Sequence, residues 1–450
     1  VSRAAVPAPV RTRADAVASA PRRALLAACA ALLASGALLG PPAATAAEGT
    51  LLVRNATVHT QTARGTLDGA DVLVRGGRIA AIGRGLTAPA GAEVVEAGGR
   101  PLTPGLFAGL SSLGLEETGL APAASDEALG LGAMRPEFDV ALAYNPNSIS
   151  IGVNRQAGMT FAVIAPQAQA GSTNQRGGSV IAGQGAVVPL DGGREPLSRA
   201  LFVVLAGDAS ALSGGSRAGH YMLLHQAIVE ARNPTLVLMH DERLLTPAGR
   251  QTLVDYLKGA GPIVAHVDRE ADIRQLLAFR EKHQLPRLVI TGGAEAWRVA
   301  PELARAGVPV IVDPLLNLPK NFDAVGATLE NAARLHAAGV AVGFSLADPE
   351  PHNVRKLRQA AGNAAAHGLP RDAALAAITR VPAQAFGVGD RAGSLEVGRP
   401  ADFVLWDGDP LEVTSWPRGV WIGGVRQPDR SRQTELLERY LEKLRRGEAR

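Results

Sequence analysis

The chain is nearly without cysteine: Cys29 is the only one in 450 residues. It lies in an N-terminal leader, so the body that follows has no disulfide, no thiol nucleophile and no thiolate metal ligand, and its stability must come from its core. Excess charge of one sign is missing too. Residues 1–46 hold five arginines and one aspartate, which leaves 41 basic and 41 acidic side chains in the remainder and gives no argument for nucleic acid as a partner. The apolar run from Ala24 to Leu39 falls short of the roughly 18–20 strongly apolar residues that a spanning helix needs, so no stable membrane anchor is expected. Neither serine weighed below as a nucleophile sits in a Gly-x-Ser-x-Gly elbow, and the lone GQG at 183–185 is not a dinucleotide fingerprint.

What is present begins with that leader. Arg22-Arg23, the apolar run, Pro41-Pro42 and the triplet Ala44-Thr45-Ala46 follow the order of a secretory signal peptide, with cleavage expected after Ala46. The protein is therefore expected to be exported, to a periplasm or otherwise; the arginine pair leaves general and twin-arginine routes both open. Leu26-Ala27-Ala28-Cys29 has the look of a lipoprotein box, but it follows the arginines almost directly and reads as a cysteine within the leader.

A hydrophobic share of 46% against 20% charged residues fits a globular body with ample length for a large core. From residue 48 to about 100, short β-branched runs separated by Gly and Asn read as hairpins of a small sheet. Between 101 and 392 the texture changes to buried apolar strands alternating with helices such as 274–283 and 300–306. GLFAGL, TFAVIAP, ALFVVLAG, TLVLMH, PIVAH, RLVIT, VPVIVD and VAVGFS are eight candidate strands, which favours an α/β fold built on a (β/α)8 TIM-like barrel. The β texture returns over 393–430, so both chain ends are expected to build one composite β-sandwich domain. Residues 431–450 repeat Leu437, Tyr440, Leu441 and Leu444 at helical spacing; this reads as a helix packed on the body, with a partner interface, a homo-oligomer included, as the alternative. The Gly- and Ser-rich stretch 170–193 reads as a structural or lid loop after the second barrel strand.

The chain resembles the metal-dependent amidohydrolase superfamily, in particular its imidazolonepropionase-like branch. The resemblance rests on LLVRNATVHT with ADVLVRGGRIAAIG near one end, and on AITRVPAQAFGVGDRAGSLEVGRPADFVLWDGDPL near the other. It implies a hydrolase of carbon–nitrogen bonds, non-peptide or cyclic amides, on a (β/α)8 barrel with a composite β-sandwich. It also implies a divalent metal such as zinc, which makes hydroxide available near neutral pH.

The stretch PLTPGLFAGLSSLG is where the family would place T-P-G-L-I-D-A-H-S-H-L-G. Residues i and i+2 of a strand face one side, which lets two imidazoles reach one cation. Here Leu110 and Ser112 hold those positions, and Ala108 stands for the Asp. His266 matches the fifth-strand histidine, Gly292 stands for the sixth-strand histidine, and Ser345 for the eighth-strand Asp. No lysine occurs in TLVLMHDE. The resemblance therefore carries over one ligand, His266, and no cofactor is expected, or at most one divalent metal.

Two alternatives stand beside a silent site that binds a small-molecule ligand or partner. His240, His266 and Asp313 fall at expected strand ends and offer a donor set for one metal; the structural counterpart is a loop histidine, a relic, and a turn cap before Pro314. Ser345 or Ser112 with His266 as base would make a nucleophilic pair. Asp348 and His352, with Glu350, form a polar run near the mouth and are substrate-contact candidates. His220 and His225, five apart, lack the spacing of a helical zinc pair and read as helix-surface residues.

Overall fold

A computed structural model describes residues 49–118, 125–131, 134–168, 179–233, 235, 243–347 and 350–446. The leader, His240, Asp348 and all but Thr235 of TLVLMH lie outside the described residues.

Both chain ends meet in one sheet. Strands β1 (Leu51–His59), β2 (Thr66–Arg75), β3 (Arg78–Gly83), β4 (Glu93–Glu96) and β5 (Pro101–Pro104) come from the N-terminal side. They are joined by β14 (Phe403–Trp406), β15 (Pro417–Ile422) and β16 (Val425–Arg426), in the order β16-β15-β14-β5-β1-β2-β3 with β4 on β1. The junction is antiparallel, with Phe403 opposite Pro104 and Leu405 opposite Leu102. It is fastened by apolar burial: Val53, Val72, Leu102, Phe403 and Trp421 share a core, and the Phe403 and Trp421 rings stack at 5.0 Å. The expected joining of the two ends is therefore present as a single sheet.

The second sheet forms a nearly closed barrel of eight strands within a mixed α/β fold. In sheet order these are β6 (Leu106–Ser111), β7 (Met159–Ile164), β8 (Ile181–Pro189), β9 (Ser198–Val204), β10 (Ile263–Val267), β11 (Leu288–Gly292), β12 (Val310–Val312) and β13 (Val342–Phe344). From β9 to β13 the pairing is parallel, and those strands read as near-continuous apolar runs because helices cover the outer face. The helix Glu270–His283 between β10 and β11 carries Glu270 and Asp272 in its first turn and Arg280, Lys282 and His283 in its last, complementing its dipole.

Seven of the eight expected strands hold their places, but the sheet is not eight successive βα units. Its eighth member is β8, which runs antiparallel to both neighbours and comes from the stretch expected to be a loop. Glycine there serves packing rather than flexibility: a Cβ on Gly185 would stand 2.4 Å from the Ile164 carbonyl oxygen and 2.5 Å from the Phe202 ring. β9 pairs directly with β10, Leu201 opposite Ile263.

The seam between β6 and β13 is bridged by a side chain. The Ser345 hydroxyl accepts from the Leu110 amide at 2.9 Å and lies 3.3 Å from the Leu110 carbonyl oxygen.

The terminal helix Arg432–Arg445 departs from expectation. It is well formed, with a Ser431/Thr434 capping box, yet none of its residues is buried. Leu437, Tyr440, Leu441 and Leu444 stay exposed, while Leu436 is half-buried and the helix touches the helix Ile149–Gln156. Among the described residues no helix is long and apolar enough to cross a membrane.

Candidate functional site

The C-terminal ends of β6, β10, β11, β12 and β13 converge on one cavity of about 330 Å³. Leu110, His266, Gly292, Asp313 and Ser345, all named from sequence, line it together with Asp268, whereas Ser112 does not. A second, more apolar cavity of about 570 Å³ adjoins it and shares Leu110, Asp208, His266 and Thr291. A larger one, about 650 Å³, lies away from the mouth, between His59 and Thr62 on one side and Asp372, Arg380 and Gln384 on the other. We place the functional site at the mouth because barrel enzymes build their chemistry on that face.

His266 ends β10 with one ring nitrogen, Nδ1, 3.3 Å from the Thr291 hydroxyl and the other, Nε2, 3.7 Å from an Asp268 carboxylate oxygen. Asp268 in turn accepts from the Ala294 amide. Burial pushes the Asp268 carboxyl above the usual carboxylate range, and the neighbouring His266 offsets part of that shift. Asp268 was not singled out from sequence. The available signal was HVD, a histidine and a carboxylate at i and i+2 near a strand end, the spacing that puts two side chains on one face.

Gly292 ends β11 at a φ of +83°, a conformation L side chains rarely adopt. A Cβ there would lie 2.6 Å from Asp268 Oδ1 and 2.8 Å from His266 Cε1. The His266–Asp268 pair thus fills the space that a side chain at 292 would need.

Asp313 behaves as a clamp: its two carboxylate oxygens accept from the Leu315 and Ala347 amides at 2.9 and 3.0 Å, tying the turn after β12 to the turn after β13. Ser345 is engaged with the β6 backbone, and among the described residues no hydrogen bond joins it to His266. Ser112 donates to Glu116 at 2.9 Å, is buried, and does not line the mouth cavity. His352 is exposed, 3.7 Å from Glu350, and is not among the cavity-lining residues.

His220 is a correction to the sequence reading. It is fully buried rather than on a helix surface, held by the Ser213 hydroxyl at 2.9 Å and the Ala206 carbonyl at 3.1 Å, and burial lowers its pKa. His225 is exposed and 3.2 Å from His283. Among the described residues no group of three or more His, Cys, Asp or Glu side chains is placed to hold a metal ion.

Residues 264–426 match the model of the amidohydrolase family. A stretch of 63 residues is 49% identical to the amidohydrolase tasK of Hapsidospora irregularis; it spans 14% of this chain and only 6% of that protein. Over 84% of this chain and 100% of the other, the fold matches an amidohydrolase of Thermotoga maritima MSB8 with a TM-score of 0.73 at 26% identity. At lower identity the fold is shared with a molinate hydrolase (15%, TM-score 0.53, 85% of this chain and 95% of that one). It is shared likewise with a zinc-bound adenosine deaminase from Xanthomonas campestris (18%, TM-score 0.51, 88% and 98%).

Proposed function

We propose that this chain, which carries an amidohydrolase family domain, is an exported protein of the imidazolonepropionase-like branch whose barrel mouth binds a small molecule without the family's two-metal centre. The observation that carries the reading is the contact of Gly292 with His266 and Asp268. At the position aligned with the sixth-strand histidine there is no donor, and a Cβ there would require His266 and Asp268 to shift.

The other aligned positions point the same way. Leu110 has no lone pair, and the Ser345 hydroxyl is bonded to the β6 backbone. A catalytic zinc needs about three protein ligands with an open fourth position. The zinc of a structural neighbour such as the adenosine deaminase would find at this mouth one imidazole, His266, with Asp268 as its partner. These residues do not fit a two-metal centre, and no hydrolytic step is routed through one.

The chain's own residues supply a cavity with a polar edge, formed by His266, Asp268 and Asp208, and an apolar annex lined by Leu110, Phe202, Leu212 and Val264. That combination suits a small molecule with an apolar body and one or two hydrogen-bonding groups.

A second reading is a hydrolase of carbon–nitrogen bonds working from an altered site. It is favoured by the His266–Asp268 pair itself, since a carboxylate beside an imidazole orients it for proton transfer. A hydrolysis screen over linear and cyclic amides, run on wild type and His266→Ala, separates the two. The binding reading predicts no turnover above blank in either protein; turnover lost in His266→Ala would establish the hydrolase. Export rests on the Arg-Arg, apolar run and Ala-x-Ala order, and N-terminal sequencing of exported protein should begin near Ala47.

A further inference from the structure

The two cavities at the barrel mouth meet at one carboxylate. Asp208 lines both the polar cavity of about 330 Å³ and the apolar annex of about 570 Å³. Its side chain is exposed and makes no hydrogen bond or ion pair among the described residues. Its place is fixed from behind, because the neighbouring Gly207 amide donates to Asp323 at 2.6 Å. Arg217 stands behind Gly207 too, but its charge is taken up by Asp323 and, at 3.5 Å, by Asp272.

The charges that face the ligand space are mostly of one sign. Asp208, Asp268 and Asp313 line the polar cavity, against Lys320 and the imidazole of His266. Asp313 engages both oxygens with the Leu315 and Ala347 amides, so Asp208 and Asp268 are the carboxylates left to meet a ligand. The annex adds no charged group beyond the shared Asp208 and His266, and Phe202, Leu212 and Val264 make its wall apolar. Burial lifts the Asp268 carboxyl above its usual range; His266 and the Ala294 amide lower it, and Asp208 and Asp323 add to the rise, as carboxylates around a negative mouth do.

That balance selects the ligand's charge. While the mouth holds only solvent, Asp208 is hydrated. A molecule that fills the annex displaces that water, and a carboxylate desolvated without a partner is strongly disfavoured. A neutral ligand leaves this cost standing, and an anion adds repulsion. A cation offsets it and also favours the ionised form of Asp268.

Granted the reading of this mouth as a small-molecule site, on which the assignment rests, we propose that its ligand is a protonated amine carried on an apolar body. The ammonium group is set against Asp208 and Asp268, and the body lies in the annex against Phe202, Leu212 and Val264.

Calorimetric titration with three indoles of similar shape and different charge tests it: tryptamine, a cation; tryptophol, neutral; and indoleacetate, an anion. Tryptamine should bind about tenfold more tightly than tryptophol, with indoleacetate the weakest, and the bound indole should slow hydrogen exchange at residues 208–212 and 266–268. Asp208→Asn should bring tryptamine down to about the affinity of tryptophol and leave tryptophol unchanged. Its melting temperature should match wild type, because Asp208 has no partner to lose. Lys320→Gln removes the cation of the same cavity and should strengthen tryptamine while weakening indoleacetate, an opposite change that loss of structure would not give. Tryptophol or indoleacetate binding as tightly as tryptamine, with the same slowed exchange, overturns the charge assignment and leaves the mouth a small-molecule site. Tryptamine bound equally well by Asp208→Asn overturns the assignment too. Binding of none of the three overturns both.

Discussion

Gly292 lies against the His266–Asp268 pair: a Cβ at 292 would come within 2.8 Å of the imidazole and 2.6 Å of the Asp268 carboxylate, so a larger residue there requires the pair to shift. The space beside Gly292 is therefore taken by a histidine–carboxylate pair, while the cavity those side chains line stays open. Gly292→Ala combines a left-handed backbone with a steric clash, each on the order of 1–3 kcal/mol. Thermal or urea unfolding should show a loss on the order of 2–4 kcal/mol. A variant as stable as wild type would mean that the pair moves aside easily and that the position is free to take a side chain.

Ser345 holds the barrel seam. Ser345→Ala leaves the Leu110 amide and carbonyl without that hydroxyl, at a cost of about 1–2 kcal/mol. Hydrogen exchange should report the loss locally, with faster exchange at the Leu110 amide than at β10. Unchanged exchange there would show that the seam is closed by other contacts.

Asp402 gives the stability a pH dependence. Burial pushes its carboxyl up from 3.8 to about 6, while the hydrogen bond from the Gly423 amide pulls the other way. A folded-state pKa above the unfolded value means that the contribution is complete below pH 3.8 and is lost as pH rises through about 6. Asp402→Asn keeps an oxygen for Gly423 and does not ionise. Its stability relative to wild type should therefore rise between pH 4 and 7 by on the order of 2–3 kcal/mol and then level off. A difference independent of pH would place the ionised carboxylate in a better solvated setting than its burial implies.

Much of this molecule is legible in its sequence for a physical reason. Parallel strands covered on both faces must be apolar throughout, and IVAHV and LVITG announce themselves that way. Their ends carry His266, Gly292 and Ser345, which line one cavity. Three features escaped the same reading. β8 was hidden because Gly183 and Gly185 signal a loop, whereas close approach to Phe138 and Ile164 respectively demands glycine within a strand. Asp268 was hidden because its role comes from the His266 ring and the Ala294 amide, partners that only the fold assembles. The terminal helix showed its apolar spacing but not that the body leaves that face uncovered.

Elemental analysis after dialysis, on wild type and His266→Ala, tests the central claim most directly. With Leu110, Gly292 and Ser345 at the aligned ligand positions, the wild type should hold well under one tightly bound metal per chain. His266→Ala should fold normally and match it. A structural zinc site supplies on the order of 10 kcal/mol through several ligands together, which one imidazole does not provide. About one equivalent removed by His266→Ala would mean that a single-metal site had been rebuilt around His266. Two equivalents in the wild type would contradict the alignment of the ligand positions and the account of the mouth built on it.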